Sequence, residues 1–308
     1  MPRNPLVPVL LLAGLGASVA HANPVIYASG QLLIPGAPGH DDTRENFIYE
    51  IDVLTGAATA VSPMTTGLPA ALAGTPSGSL FGYSSGQLVE VNPFSGSQTN
   101  IGANNGLSST AFDITAAGQG FVLPFDSSFD TQQIHNIDLA TGAATALGSA
   151  TAIGDAIDLA RGTALGTATP FVISLGSVGN TLYGIDLDTN SLISINSATG
   201  AADVVGMVGA VGAANGGGYS GFSALTGVDE DLDGTFDALF GSVNFFDDGS
   251  GSQRLGGIGR FDLTTGEWSL VGTNPGVIFF GFGSSPVPTP GTAVILAAGG
   301  VLASRRRR

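Results

Sequence analysis

The chain has 308 residues, of which 48 are glycine and none is cysteine, with 11% charged side chains and a mean hydropathy of +0.34. This composition excludes a disordered chain, and the lack of cysteine excludes disulfides and thiol chemistry. All nine basic residues are arginine, and five of them lie at the two chain ends, so the remainder sets four arginines against 24 acidic residues. A net charge of about −20 on that part repels nucleic acid and anionic lipid.

Residues 1–22 have the layout of a secretory signal peptide. Arg3 gives the positive start, and residues 6–19 form an apolar run that is too short to span a bilayer comfortably. Ala20-His21-Ala22 has the small–x–small pattern of a signal peptidase site, which predicts a mature chain that begins at Asn23. The alternative is a membrane anchor that stays attached.

One short phrase occurs five times along the chain. It consists of an apolar residue, Asp or Asn, three further residues and Gly, as in Ile137-Asp138-Leu139-Ala140-Thr141-Gly142. The Asp or Asn side chain can accept backbone amides two residues on, and Gly takes the positive φ that a tight turn needs. Five hairpins of one design indicate a repeat protein. The other four phrases are 51–56, 91–96, 195–200 and 261–266.

Each hairpin follows a second apolar strand with a small residue near its middle, and we take these strands as the inner strands of the repeats. They lie at 25–29, 80–83, 120–123, 182–185 and 239–243. A short outer strand follows each hairpin, as at 145–148. A unit of this kind cannot bury both faces alone and must stack on its neighbours.

Successive turn glycines lie 40, 46, 58 and 66 residues apart. The first two spacings match a β-propeller blade of roughly 40–50 residues, whereas solenoid coils are shorter. Residues 23–285 are therefore predicted to be all-β, a β-propeller of five or six blades; the alternative is a β-sandwich. The longer spacings leave room for part of an extra blade at 149–177 and a long loop at 206–221. The apolar run 277–282 is predicted to complete the blade begun at Val25 and so close the ring.

Residues 286–308 form a separate segment. Prolines stiffen a linker, an apolar run follows at 291–304, and four arginines end the chain. The run falls short of the ~20 residues that a stable transmembrane helix needs. This order of parts resembles the PEP-CTERM sorting signal of Gram-negative bacteria, with Thr289 where that family usually has Glu. The resemblance implies that an exosortase-type membrane enzyme passes the protein to the outer surface, often alongside exopolysaccharide production. The alternative is a permanent weak membrane anchor.

The acidic stretch 229–237 has carboxylates at its positions 1, 3, 5 and 9 and Gly at position 6, which matches calcium-loop spacing. The predicted ligands of a structural calcium ion are Asp229, Asp231, Asp233, Thr235 through its backbone carbonyl, and Asp237. Calcium takes 6–8 oxygen ligands, so these five plus water suffice. Residues 229–243 resemble the calcium loop of FG-GAP blades in integrin-type propellers, which implies the loop and not the adhesion function. The alternative is a solvated acidic hairpin.

Other polar residues have weaker support. The acidic pairs at 41–42 and 247–248 are interpreted as solvated turn residues. His135 is interpreted as a surface or packed histidine and Trp268 as packing between blades. A glycosidase needs two carboxylates that face each other across a cleft. The carboxylates that can be named for that role, without any spacing that selects a pair, are Asp126, Asp130, Asp155 and Asp158.

The favoured function is a non-catalytic surface or matrix protein that is exported and binds a glycan or a protein through its loops. The competing class is a secreted polysaccharide hydrolase or lyase with carboxylates at the propeller centre, and a third is a structural filler of the extracellular matrix. The predicted inner strands are nearly free of charge, which favours binding or structure. The expected partners are signal peptidase, an exosortase-type enzyme, and an exopolysaccharide or surface protein; nucleic acid is not expected.

Overall fold

Each of the five Asp/Asn–Gly turns joins the third and fourth strands of a four-stranded antiparallel sheet. The computed structural model describes residues 24–34, 43–64, 66–124, 131–209, 219–231, 233–246 and 254–285. All of these belong to one compact unit, 23–287. The signal peptide and the sorting segment predicted at 1–22 and 286–308 lie outside the described residues.

The described residues contain twenty strands and one α-helix. In chain order these are β1 (Val25–Ile34), β2 (Thr43–Asp52), β3 (Ala58–Pro63), β4 (Ala71–Gly74), β5 (Leu80–Ser84), β6 (Gln87–Val91), β7 (Gln98–Ile101), β8 (Ala111–Ile114), β9 (Gly120–Leu123), β10 (His135–Ile137), β11 (Ala144–Ala146), α1 (Ala152–Arg161), β12 (Val172–Val178), β13 (Thr181–Asp186), β14 (Ser191–Asn196), β15 (Ala202–Met207), β16 (Tyr219–Val228), β17 (Ala238–Phe246), β18 (Arg254–Phe261), β19 (Trp268–Pro275) and β20 (Val277–Ser285). The sheets, numbered as blades 1 to 5, are β20-β1-β2-β3, β4-β5-β6-β7, β8-β9-β10-β11, β12-β13-β14-β15 and β16-β17-β18-β19.

The five sheets stand as blades around a common axis, because the first strand of each contacts the first strands of its two neighbours. The predicted β-propeller is confirmed with five blades in the described residues, and the alternative of a β-sandwich is wrong. The predicted ring closure is also confirmed. Strand β20 pairs with β1 from Val25 opposite Ser285 to Leu32 opposite Val277, so blade 1 combines the two ends of the described chain.

The predicted inner strands are wrong in one respect: they are the second strands of the blades, β1, β5, β9, β13 and β17. The strands next to the axis include β4 and β16, which are rich in Gly, Ala and Ser. Backbones approach closely there, because a Cβ on Gly74 would lie 1.5 Å from the Ser284 carbonyl oxygen and one on Gly227 1.6 Å from that of Ser177. Only small residues fit at these positions. The β-branched and aromatic residues that usually indicate a strand are therefore missing there.

The turn at Asp138 shows why the repeated phrase folds as predicted. Asp138 Oδ1 accepts the amides of Ala140 (2.8 Å) and Thr141 (3.2 Å), and these hydrogen bonds lower the pKa of Asp138. Gly142 has φ +71° and its amide donates to the Asp138 carbonyl (2.7 Å). A Cβ on Gly142 would lie 2.7 Å from the Ile101 carbonyl oxygen in blade 2. The other four turns repeat these bonds, so each glycine serves both its turn and the contact with the preceding blade.

The stretch 149–177 holds no part of an extra blade, contrary to the prediction. It contains α1 and then β12, the inner strand of blade 4. Ile153 and Ile157 on the buried face of α1 join a cluster of side chains from blades 3 and 4. The helix also packs against β15, the outer strand of blade 4. The loop predicted at 206–221 is wrong at both ends, since residues 206–207 belong to β15 and residues 219–221 to β16; residues 210–218 lie outside the described part.

Two sets of connections share one face of the propeller. Antiparallel strands alternate in direction, so the turns from first to second strands and the Asp/Asn–Gly turns lie at the same end of every blade. We call this end the turn face. Val25 and Ser285, the first residue of β1 and the last of β20, pair with each other there. The first and the last residue of blade 1's chain-terminal strands therefore both lie at the turn face.

Candidate functional site

The acidic loop 229–237 joins β16 to β17 on the turn face of blade 5. Blade 2 has a shorter turn at the same place, in which the residue after the inner strand, Thr75, accepts the Ser79 amide through its hydroxyl (3.0 Å). Asp229 occupies the position of that threonine, directly after β16. The acidic loop is therefore an enlarged form of a turn that the fold already uses.

Three of the predicted calcium ligands come together in this loop. One carboxylate oxygen from each of Asp229, Asp231 and Asp233 lies within 4.8 Å of the others. Asp229 is buried, and its two oxygens accept the amides of Asp233 (3.0 Å) and Gly234 (2.7 Å), whereas Asp231 and Asp233 are exposed. Gly234 has φ +92° at the sharp turn. The donor set fits calcium, because it consists of hard oxygen atoms whose mutual repulsion a cation would offset.

The other two predicted ligands have different positions. Asp237 Oδ1 accepts a hydrogen bond from the Glu230 amide (2.9 Å), which links the two ends of the loop. Thr235 is exposed, and its amide donates to Asp233 Oδ1 (2.8 Å). Glu230 also forms an ion pair with Arg260 of β18 (2.7 Å), so the loop is tied to the body of blade 5.

The inner strands pack closely around the propeller axis. The void between the inner strands, lined by Leu72, Leu175, Phe282 and their neighbours, leaves no room for a water molecule. The five inner strands carry a single charged residue, Asp113 on β8.

Asp113 lies between the inner strands of blades 3 and 4. It is 1% exposed, and among the described residues its Oδ2 has no hydrogen-bond partner. Burial raises the pKa of Asp113 well above its usual range, although the Ser177 hydroxyl and the amides of Ile114 and Ser177 act in the opposite direction. One buried carboxyl group is not the pair of carboxylates that glycoside hydrolysis requires.

Asp158, one of the carboxylates considered for a glycosidase, has a structural role. Its carboxylate accepts the hydroxyls of Thr167 (2.6 Å) and Thr163 (2.7 Å) and the amides of Thr167 (2.9 Å) and Ala168 (3.2 Å). These hydrogen bonds, that of the Thr167 hydroxyl foremost, lower the pKa of Asp158. They hold the chain that runs from α1 to β12 against the helix.

The remaining candidates are not brought together. Asp155 accepts the Thr151 hydroxyl (2.7 Å) at the start of α1. His135 lies in β10, half-buried, with Nδ1 2.9 Å from the Gln133 carbonyl oxygen. Trp268 packs edge-on against Phe222 in a cluster from blades 4 and 5, as predicted. The candidates outside the described residues are His40, Asp126, Asp130 and the pairs at 41–42 and 247–248.

Sequence reasoning missed an open cleft of about 430 Å³ between blades 1 and 2 on the turn face. Phe94, at the tip of a turn, is 51% exposed, and its ring meets the buried ring of Tyr27 edge-on with centroids 6.3 Å apart. We call this the Phe94 cleft; its other lining residues include Ser79, Glu90, Asn92 and Thr99. One signal was present in the sequence: Phe94 is the single aromatic residue at the tip position of the five turns.

No protein-family profile and no curated protein match the sequence significantly. The backbone is similar to that of a chain in a nidogen/laminin complex, with 10% identity, coverage of 85% of this chain and 98% of that one, and a TM-score of 0.43. It is also similar to virginiamycin B lyase from Staphylococcus aureus (12% identity, 79% and 82% covered, TM-score 0.35) and to TolB from Acinetobacter baumannii (12% identity, 85% and 67% covered, TM-score 0.39). At these values the likeness concerns the fold alone and carries no function to this chain.

The single helix of the described residues, α1, has 10 residues. No helix in the described part of the chain is long and apolar enough to span a membrane.

Proposed function

We propose that this chain is an exported, surface-sorted, non-catalytic β-propeller protein that binds a glycan or another protein through its loops. The observation that carries the binding role is the closed axis. The void described between the inner strands has no room for a water molecule, and Asp113, their one carboxylate, is buried, whereas the Phe94 cleft on the turn face is open to solvent. This favours binding over the alternative, a polysaccharide hydrolase or lyase.

Export and sorting rest on the sequences of the two terminal segments. Residues 1–22 supply the signal-peptide pattern, and residues 287–308 supply the proline linker, apolar run and basic tail of a PEP-CTERM-type signal. The pairing of Val25 with Ser285 supports this arrangement, because the first and last strands of the described chain have these two residues at the same face. Either segment can then be processed at a membrane without disturbing a blade.

A structural calcium ion is part of the proposal. The gathering of Asp229, Asp231 and Asp233 within 4.8 Å supports it. Oxygen donors of this kind suit calcium, and the buried position of Asp229 would hold the ion at the start of β17. The ion's role would be to fix this loop on the turn face.

Cell fractionation with N-terminal sequencing tests export and sorting. We expect the exported protein to begin at Asn23 and to reach the cell surface. A variant with Arg305–Arg308 replaced by Gln should accumulate before the surface while its melting temperature stays unchanged, because the tail lies outside the propeller. The matched control removes two surface charges from the propeller itself, Arg44→Gln with Arg161→Gln, and should be sorted normally. An exported protein with an intact Met1, or normal sorting without the arginines, would contradict the proposal.

A further inference from the structure

The tip of the blade 2 turn carries a residue that the turn does not need. Five turns share the same hydrogen bonds, yet four of them have small or aliphatic residues at the tip: Leu54, Ala140, Ala198 and Thr264. Phe94 occupies that position in blade 2 with 51% of its surface exposed. A single exposed apolar residue is ordinary. Phe94 differs because its ring, with that of Tyr27, forms the wall of a cleft.

The polar groups of the Phe94 cleft are neutral or acidic. Ser79, Ser97 and Thr99 provide hydroxyls, and Glu90 provides an exposed carboxylate. Asn92 uses its side-chain oxygen to accept the amides of its own turn, so its NH2 group is the end of the side chain that can serve a ligand. No arginine, lysine or histidine is among the lining residues. A phosphate, sulfate or uronate group would therefore meet only like charge there.

Tyr27 adds a neutral hydroxyl to the same wall. Burial, and after it the Glu50 carboxylate, raises the pKa of Tyr27, so the phenol keeps its proton at physiological pH. The cleft thus combines an aromatic surface with hydrogen-bonding groups of both kinds. Pyranose rings match this combination, since their C–H faces stack on the negative face of an aromatic ring while their hydroxyls form hydrogen bonds at the ring edge.

Blade 5 has an equivalent cleft that serves as an internal comparison. It lies between Asp237 and the turn at Asp262, with a volume of about 440 Å³. Arg260 stands where blade 2 has Glu90, and its guanidinium is paired with Glu230 (2.7 Å). Thr264 replaces the aromatic tip. The repeat therefore produces a cleft of this shape in more than one blade, whereas the aromatic tip residue and the acidic side chain are specific to blade 2.

We infer that the Phe94 cleft binds a neutral saccharide, with a pyranose face stacked on Phe94 and sugar hydroxyls bonded to Glu90, Asn92 and the hydroxyls of the cleft. The inference rests on the proposed binding function and names its site and ligand class.

Calorimetric titration of the purified full chain tests the inference. The neutral probes are cellohexaose, laminarihexaose, xylohexaose and mannohexaose, and an alginate hexauronate is the anionic probe. We expect at least one neutral probe to bind and the hexauronate not to bind. Phe94→Ala should weaken binding roughly tenfold or more, since buried aromatic anchors dominate such contacts, and Phe94→Trp should restore it. Leu54→Ala, which truncates the equivalent tip in blade 1, is the matched control and should bind as the unaltered protein does.

Three results would overturn the inference: no neutral probe binds at millimolar concentration, Phe94→Ala binds as tightly as the unaltered protein, or the hexauronate binds better than every neutral probe. The proposed function fails on different observations. If the protein is exported and binds glycans with an affinity that Phe94→Ala does not change, the proposed function stands and the inference about the Phe94 cleft is wrong. If the protein binds saccharides through Phe94 but is never exported, the inference about the cleft stands and the proposed function is wrong.

Discussion

Asp113 is buried between two inner strands with one oxygen unpartnered, and its folded-state pKa is raised by that burial. The folded protein therefore holds a proton that the unfolded chain releases near pH 4. Between that pH and the raised pKa, the free energy of unfolding falls as pH rises, by about 1.4 kcal/mol for each unit of pKa shift. Asp113→Asn keeps the shape of the neutral acid and should raise the melting temperature at pH 7 while changing it little at pH 3.5.

Asp158 provides the matched control of opposite sign, because its hydrogen bonds lower its pKa. Its stabilising effect is fully present above the pKa of the unfolded chain, about 4, and is lost as pH falls through the lower pKa of the folded state. Asp158→Asn should therefore lower the melting temperature at pH 7 and lose this effect in acid. Thermal melts of both variants across pH 2–8 measure the two trends. Parallel curves for the two variants would contradict both assignments.

Among the strands and turns, those whose conformation depends on neighbouring residues in the chain are predictable from the sequence. An Asp or Asn followed four residues later by Gly specifies its own hydrogen bonds and its own positive φ, and all five turns form as predicted. The inner strands depend instead on contacts between residues far apart in the chain. Gly74 is small because of the Ser284 carbonyl, 210 positions away, and nothing near Gly74 in the sequence reveals that contact.

Helix α1 was missed although its pattern is present. Ile153, Ala156 and Ile157 have the i, i+3, i+4 spacing of a buried helix face. The surrounding segment is as rich in Gly and Ala as the loops elsewhere in the chain, so the helical spacing of these three residues was not recognised. The Phe94 cleft was missed for a related reason, since the exposure of Phe94 and its contact with Tyr27 depend on the packing of two blades.

The acidic loop 229–237 should make the stability of the protein depend on calcium. If calcium binds only the folded state, it stabilises that state by about 2.7 kcal/mol at a concentration 100-fold above Kd. Chelation should therefore lower the melting temperature, and calcium should restore it better than equal magnesium, which prefers a smaller octahedral site. Asp231→Asn with Asp233→Asn should abolish most of this response.

The control for the calcium experiment removes the same number of charges elsewhere. Asp188 and Asp203 are exposed and lie outside the loop. Asp188→Asn with Asp203→Asn should leave the calcium response intact, which separates the loop from a general effect of net charge. A melting temperature that does not respond to chelator, in a purified protein that retains no calcium, would reduce the loop to a solvated turn.

For the whole molecule, stability depends on one strand that joins the ends of the described chain. Strand β20 pairs with β1 in blade 1 and also touches β4 and β16, the inner strands on either side. Phe279 and Phe282 on β20 are 0% and 1% exposed in the cluster that joins blades 1 and 5. Losing one buried Phe side chain costs about 3–5 kcal/mol, and a whole domain is stable by only about 5–15 kcal/mol.

A chain that ends at Gly276 should therefore fail to form a cooperative fold, because it loses both aromatic side chains, leaves the edge of β1 unpaired and removes the strand that packs against β4 and β16. A chain that ends at Ser285 lacks only residues 286–308 and should melt at the same temperature as the full chain. Circular dichroism and thermal melts of the two truncations compare them directly. If the chain ending at Gly276 melts cooperatively at the temperature of the longer one, the ring is not held closed by β20, and stacking of the other four blades is sufficient for the fold.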